Sequence, residues 1–598
     1  MRTDKRTSLA VALASIAAWF PTPVGGDDRR AIGPAPPRLS DSQRTFLSRM
    51  ARRALRDAVG GKGQYDPGYI PESLSGVSAE VVVRVWEDGF LRGSGLGPRG
   101  PVAEALRQAA AGAAEVLKTQ STDADALGRM VIEIEAAGES QPFPVAGDWT
   151  RPQALDGLLE PGIDGLVLQG PALDRRVYPS EFIRTDLPMD QALSGLAQMM
   201  HMAASEVADT RLERFRTAHW IEPKAGAAVI SLQRGLVLVP TEAVTEAGLR
   251  GPCAALAEYM IYRQLDSGLF TYQFDAGADR YAEADSAIAQ AGAAVAMAAY
   301  ARDSASGASL AAAALSIRRQ LEGFTEITES KDAAFIRSAD GENKLGLTAL
   351  VSLAMTRHPT PDRFTDSRRM LTTGILSVQR PSGMFLTAFP PAVRIDAQDY
   401  FPGEALLALA EQYALEPSEQ VLAAFDRAVT FYREYFRARR SAALAPWQVQ
   451  AFAKMAVLTK RQDYADYSFE LSDWLAAKQL RADNCRWPEL WGGISNAGEG
   501  PDVSTALHLQ GFAEALSLAR AVGDAKRVET YEQIVRDAAR FVLQLQVRPQ
   551  EAYCMRSARD VVGGIRTAPQ LNRLRIDNCQ HALLGLTKAR RALYPDAR

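Results

Sequence analysis

Six times along its C-terminal two thirds the chain opens an alanine- and leucine-rich helix around a small residue. The openings lie near Gly292 (QAGAAVAMAAYA), Gly346 (KLGLTALVSLAM), Gly403 (FPGEALLALAEQY), Ala451 (WQVQAFAKMAVLT), Gly511 (LQGFAEALSLARAV) and Ala582 (QHALLGLTKARRAL). More polar helices lie beside them, such as EQVLAAFDRAVTFYREYF (419–436) and AKRVETYEQIVRDAARFVLQLQ (525–546). A repeat of roughly 50–70 residues is the signature of stacked helical hairpins. A small residue at the start of each first helix lets neighbouring inner helices approach closely. Six hairpins close on themselves and leave no repeat with an exposed apolar end. The expected fold for residues 234–598 is therefore an (α/α)6 toroid; an open solenoid is the alternative.

A chain of 598 residues is too long for one core. Its first 40 residues read as a signal-like segment and linker. Arg2, Lys5 and Arg6 precede an apolar run from Ser8 to Phe20. That run is too short to span a bilayer of ~30 Å and fits the apolar part of a secretory signal. The expectation is export, to the periplasm or beyond, with retention as an uncleaved anchor left open; a non-signal role would leave the protein cytoplasmic. Residues 24–40 form a Gly/Pro-rich linker. SQRTFLSRMARRALRDAVGG then reads as a helix. VVVRVW (81–86), RMVIEIEAA (129–137) and GLVLQG (165–170) read as strands, with a helix over VAEALRQAAAGAAEVL (102–117). This mixture predicts an α+β domain over 41–233.

Composition narrows the function classes. The net charge is −3, and no basic stripe marks a nucleic-acid binder. Five histidines argue against histidine-rich metal chemistry. Cys253, Cys485, Cys554 and Cys579 form no C-x-x-C pair and read as buried small side chains, or as disulfide partners in an exported protein. No metal or cofactor is expected. The oligomeric state is not legible in the sequence.

In a closed toroid the inner helices run the same way, so their N-termini meet at one mouth. Residues leading into the openings should line it. Lys344 precedes the second; Asp399, Tyr400 and Glu404 surround the third; Trp447 and Gln448 lead the fourth. Glu489, Trp491, Asp502 and His508 lead into the fifth, and Arg566, Arg575, Asp577, Gln580 and His581 precede the sixth. Aromatic faces stack on sugar rings, carboxylates do acid/base work and arginines hold carboxylates. CRWPELWGG (485–493) is the richest segment, with Trp487 and Trp491 flanking Glu489. Packing explains the same residues equally well: a plugged loop for CRWPELWGG, and an Asp577 cap paired with Arg575 for RIDNCQHAL.

Several resemblances bear on this. LRGSGLGP (91–98) with GIDGLVLQG (162–170) resembles the AMMECR1-like domain, although Ser94 stands where that family has cysteine. QLDSGLF (264–270) and VQRPSGMF (378–385) share a Q-x-x-x-G-x-F turn similar to that of terpene cyclases and other α/α toroids, where it ties a hairpin end to its neighbour. The acid motif of proton-initiated cyclases is missing, and so is the zinc pattern of lantibiotic cyclases. QDYFPGEALLALAEQY, WQVQAFAKMAVLTKRQDYADYSFELSDWL and GGIRTAPQLNRLRIDNCQHALLGL resemble the six-hairpin glycosidase and D-glucuronyl C5-epimerase superfamily. That resemblance implies a cleft for a polysaccharide or glycan and acid/base chemistry of hydrolase or epimerase type. Glu404 and Glu489 are the first acid/base candidates, followed by Tyr400, Asp399, Asp502, Asp577 and His581. Trp487, Trp491 and Trp447 would carry the sugar, and Arg566, Arg575 and Lys344 would hold its polar groups. The alternative is a non-catalytic glycan-binding scaffold for envelope polysaccharide.

Overall fold

The computed structural model describes residues 34–596 except 63–64, 144–158, 170–173, 187–190, 192–194, 196–210, 328–331 and 496–499. The apolar run 8–20 lies outside the described residues. Among these residues no helix is long and apolar enough to cross a membrane.

The N-terminal part is an antiparallel sheet with two long helices on one face and a short one across the other. Helix α1 (Asp41–Val59) starts at a Ser40 capping box, with Gln43 N–H donating to Ser40 Oγ and Ser40 N–H to Gln43 Oε1. Strands β1 (Ser78–Glu87), β2 (Phe90–Pro101), β3 (Val131–Ala137), β4 (Gln141–Pro142), β5 (Asp164–Gln169), β6 (Asp174–Val177), β7 (Arg211–Glu222) and β8 (Ile230–Leu232) make one sheet. Its order is β2-β1-β3-β7-β5-β6, with β4 and β8 also on β7. Strand alternation sorts the faces. Val81, Val83, Val85, Ile132, Ile134 and Trp220 turn toward α1 and α2 (Val102–Thr119). Arg84, Glu133, Glu135 and His219 turn the other way and form a buried polar network. LRGSGLGP is part of strand β2. Its glycines serve close packing: a Cβ on Gly95 would lie 2.0 Å from Ala109 O, and one on Gly97 1.7 Å from Ala105 O, both on α2. Helix α3 (Pro179–Thr185) lies across the polar face.

The remainder is a closed double ring. The outer helices are α4 (Glu246–Tyr262), α6 (Gly307–Leu321), α8 (Thr365–Ser377), α10 (Glu419–Ala438), α12 (Gln462–Ala476) and α14 (Ala525–Leu545). The inner helices are α5 (Ala287–Ser304), α7 (Leu345–Arg357), α9 (Phe401–Leu415), α11 (Ala445–Thr459), α13 (Ser504–Val522) and α15 (Ile576–Leu593). Each inner helix packs on the next, and α15 packs on α5. This closure rules out the open solenoid. The small residues sit where expected: Gly292 faces Gln580, Gly346 faces Glu404, Gly403 faces Trp447 and Gly511 faces Pro446, each from a neighbouring inner helix.

Strands are not confined to the N-terminal part. Short strands line the rim: β9 (Gln273–Asp275), β10 (Arg280–Tyr281), β11 (Phe324–Glu326), β12 (Ala334–Ile336), β13 (Arg566–Ala568) and β14 (Leu571–Arg575). They are too short to show a period of two. β14 pairs with β9, which clasps the last hairpin to the first.

Among the described residues the glutamine-to-glycine tie of the Q-x-x-x-G-x-F turn is made four times, with Ile494 and Ile565 in place of phenylalanine in the last two. Gln264, Gln379, Gln479 and Gln546 each end an outer helix. Their Nε2 groups donate to Gly268, Gly383, Gly492 and Gly563 carbonyls. Each also donates to the next outer helix, at Ala312, Ala424, Ile534 and Pro252. The four glycines have φ of +87°, +96°, +89° and +89°, a region open to glycine without strain. In the third and fourth turns an insertion separates glutamine from glycine, which hides them from a fixed-spacing search. The third insertion is the CRWPELW segment, and the fourth runs through Glu551, Tyr553 and Cys554.

Candidate functional site

Three of the acid/base and sugar candidates, Glu404, Trp447 and His581, stand on the first two turns of the inner helices α9, α11 and α15. Glu404, near the start of α9, is 4% exposed. Its Oε2 has no hydrogen-bond partner among the described residues. Burial pushes its carboxyl up to about 8 from an ordinary 4.5, so it is protonated at neutral pH. One step round the ring, Trp447 of α11 packs against Gly403. Its ring meets His581 of α15 edge-on, with centroids 6.0 Å apart. His581 Nδ1 lies 3.3 Å from Gln510 Nε2 of α13. His508, two residues earlier on α13, holds Nε2 3.2 Å from the Ala442 carbonyl, and its Nδ1 is unpartnered. Burial pushes both imidazoles down to about 4, so both are neutral at pH 7. Gln448 Oε1 and Gln510 Oε1 are likewise buried and unpartnered. Buried polar atoms normally find partners, so a cluster of orphans converging on one bore needs an explanation.

A second group stands at the rim, already engaged. Asp399 accepts from Tyr435 Oη at 3.2 Å and Ser441 Oγ at 2.9 Å. Tyr400 is half-exposed just before α9. Asp502 accepts from Ser504 N–H at 2.8 Å just ahead of α13, and burial raises its carboxyl above the ordinary range. Asp577 is forked by Arg575, whose guanidinium also lies over Tyr272. Lys344 pairs with Glu342 beside the start of α7.

The third group is not at the bore. Glu489 is fully buried, and its Oε1 accepts from Arg234 Nε at 2.9 Å. Trp487 lies beneath the guanidiniums of Arg216 and Arg234, with Cζ atoms 5.2 and 5.9 Å from its ring centre. Trp491 donates Nε1 to the Cys485 carbonyl at 2.7 Å and packs under Arg540. Arg566, 1% exposed, is held by Glu551 and Asn572, each at 2.8 Å. Glu489, Trp487 and Trp491 sit on the first inserted turn, and Arg566 on β13 just beyond the second. The N-terminal part docks here: Trp86 meets Tyr553 of the second insertion edge-on, and Asp186 accepts from Asn572 N–H of β14 at 2.7 Å. The richest aromatic segment of the sequence is therefore a docking loop. Glu489 Oε1 and the Trp487 and Trp491 side chains are held by these contacts, whereas Glu489 Oε2 is buried with no hydrogen-bond partner among the described residues.

Glu133, Glu135 and His219 present ligand atoms within 4.8 Å of one another. Arg84, Arg184, Trp86 and Ser180 already donate to those carboxylates, which stay ionised by this pairing against the cost of burial. The donor set is that of a closed ion network, with no carboxylate oxygens left over for a metal. The four cysteines form no disulfide. Burial pushes the Cys579 thiol up to about 12, so it is not a thiolate ligand beside His581.

Gln448 and His508, which the sequence placed at the openings, and Gln510, which it did not, carry the site together with Glu404, Trp447 and His581. Their signal in the sequence is a polar residue on the first two turns of an otherwise apolar inner helix.

No protein-family model and no curated protein matches the chain. Similar solved structures include an inactive variant of the α-1,6-mannanase GH76A of Salegentibacter sp. in complex with α-1,6-mannotriose, at 9% identity, covering 57% of this chain and 99% of that one, with a TM-score of 0.42. Another is cellobiose 2-epimerase of Bacillus thermoamylovorans, at 12% identity, with the same coverages and TM-score. An uncharacterised protein of Pyrococcus horikoshii is similar over 31% of this chain and 95% of its own, at 17% identity and a TM-score of 0.26.

Proposed function

We propose that the protein is a carbohydrate-acting enzyme whose toroid bore does proton-transfer chemistry, with Glu404 as the acid. The supporting observation is a neutral, unpartnered carboxyl in the same bore as an aromatic edge and two neutral imidazoles. A protonated carboxylic acid donates a proton at neutral pH, and a neutral imidazole accepts one. Trp447 supplies an apolar wall for a sugar ring, and the orphan amides of Gln448 and Gln510 suit hydroxyl groups. Glycoside hydrolysis usually needs two free carboxyl groups. Asp399, Asp502 and Asp577 are all engaged, which favours transfer between Glu404 and His581, as in an epimerase, over hydrolysis. Export of the chain belongs to the same proposal, and N-terminal sequencing of the mature protein tests it.

A second reading rests on the same engagement of the rim carboxylates: the bore binds a glycan without turning it over. Screening the full chain against a glycan panel, with product analysis of each hit, separates the two. Turnover abolished by Glu404→Gln with glycan binding retained supports the enzyme. Binding with no product supports the scaffold. Retention of no glycan at all removes carbohydrate from both.

A further inference from the structure

A groove of about 530 Å³ opens at the mouth end of the ring, between the start of α5, the end of α6 and the β11–β12 hairpin. Its volume lies within the roughly 300–1,000 Å³ of small-molecule sites. Gln320, in the last turn of α6, lines it with nine tenths of its surface buried, and its side-chain amide has no hydrogen-bond partner among the described residues. A buried amide without a partner is a group that a ligand can satisfy. Arg337 lines the same groove just past β12. Its guanidinium rests over Phe335, with Cζ 5.6 Å from the ring centre, and has neither ion pair nor hydrogen bond among the described residues.

The charges around the groove select among ligands. Asp285 Oδ1 accepts from Ser286 N–H and Gln290 Nε2, each at 2.7 Å, and its Oδ2 accepts from no residue among those described. Asp340 holds Ser338 Oγ, and Arg319 pairs with Glu322 within the lining. Three carboxylates thus face two guanidiniums, so an oxyanion would meet more repulsion than attraction. A sugar hydroxyl both donates and accepts. One uncharged pyranose can therefore accept from Arg337 and Gln320 while donating to Asp285. The groove also shares an element with the bore. Ile336 N–H, beside Arg337, donates to Thr348 Oγ1 on the first turn of α7 at 3.0 Å. Gly346 of that turn packs on Glu404, where a Cβ would lie 2.4 Å from Oε2.

We propose that this groove binds one uncharged saccharide unit, with Arg337 and Gln320 as hydrogen-bond donors and Asp285 as acceptor. The assignment rests on the carbohydrate reading of the protein, and not on proton transfer by Glu404. No residue of the Glu404 cluster lines the groove. The unit held here is therefore distinct from the one in the bore, and it adds affinity without touching the reacting atoms.

Titration calorimetry and amide hydrogen exchange of the full chain test it, with cellobiose, maltose and α-1,6-mannobiose as neutral probes and glucuronate as a charged one. Saturable binding of at least one neutral probe is expected, with exchange slowed in residues 319–326 and 334–340. Arg337 is exposed and unpaired, so Arg337→Met leaves the fold intact. It should weaken binding by at least about ten-fold, through loss of a charged donor, and Gln320→Leu by about five-fold, through loss of a neutral one. Neutral-probe binding that Arg337→Met leaves unchanged, or that slows exchange only in the first turns of α9, α11 and α15, overturns the groove site and leaves the carbohydrate reading standing. Glucuronate binding more tightly than every neutral probe overturns the uncharged assignment. Absence of saturable binding by all four probes overturns the groove site, and the wider glycan panel then decides the carbohydrate reading separately.

Discussion

Glu404 should make the folded protein less stable as the pH rises, and replacing it with glutamine should remove that penalty. The carboxyl titrates near 8 in the fold against an ordinary 4.5, because burial without a compensating partner disfavours the charged form. The unfolded chain therefore releases this proton first. Below about pH 4.5 both states hold it and the group is neutral to stability. Between 4.5 and 8 the unfolded state gains progressively, and above 8 the full penalty is reached. At 1.36 kcal/mol per unit, the cost by pH 7 is on the order of 3 kcal/mol. Glu404→Gln keeps the shape and cannot ionise. Melting both proteins between pH 4.5 and 8 should show little difference at the acid end. The variant should melt higher by a few degrees at pH 7 and by more at pH 8. A variant that melts with the same pH profile as wild type would refute the buried neutral acid, and with it the proton donor proposed for the bore.

Two further outcomes test the architecture. Glu489→Gln leaves the buried Arg234 guanidinium with Glu160 as its remaining carboxylate, 3.3 Å away. A loss of about 3 kcal/mol is expected, together with faster proteolytic cleavage between the sheet and the ring; unchanged melting and cleavage would show that this pair does not pin the docking loop. Gly97→Ala places a Cβ 1.7 Å from a backbone oxygen of α2 that cannot yield without moving the helix. It should cost about 2 kcal/mol or more in chemical denaturation, whereas Gly61→Ala on the surface meets no atom within 4 Å and owes its smaller cost to its positive φ alone.

The sheet was legible in VVVRVW, RMVIEIEAA and GLVLQG, but not in its two longest strands, the glycine-rich β2 (Phe90–Pro101) and the charge-rich β7 (Arg211–Glu222). It was illegible in the rim strands of two to five residues, where pairing and not pattern makes the strand. Of the site, Glu404, Trp447 and His581 could be named because each stands on the first turns of a recurring helix. Glu489, Trp487 and Arg566 were chosen for the same chemistry and lie instead where the N-terminal part docks. An aromatic flanked by charges looks alike whether it faces a ligand or a neighbouring domain. Only the partner distinguishes them, and Arg216, Arg234 and Glu551 are remote in the chain.

Local spacing was enough to establish the repeat, because a helix buries a face through residues three and four apart and a glycine marks where two helices touch. Ring closure, the docking of the N-terminal part on the second inserted turn and β14, and the groove of Gln320 and Arg337 belong to the tertiary structure alone. Each depends on which helices become neighbours across roughly 50–70 residues of intervening chain. A lone arginine or glutamine acquires its meaning only when the elements that wall its groove are brought to it.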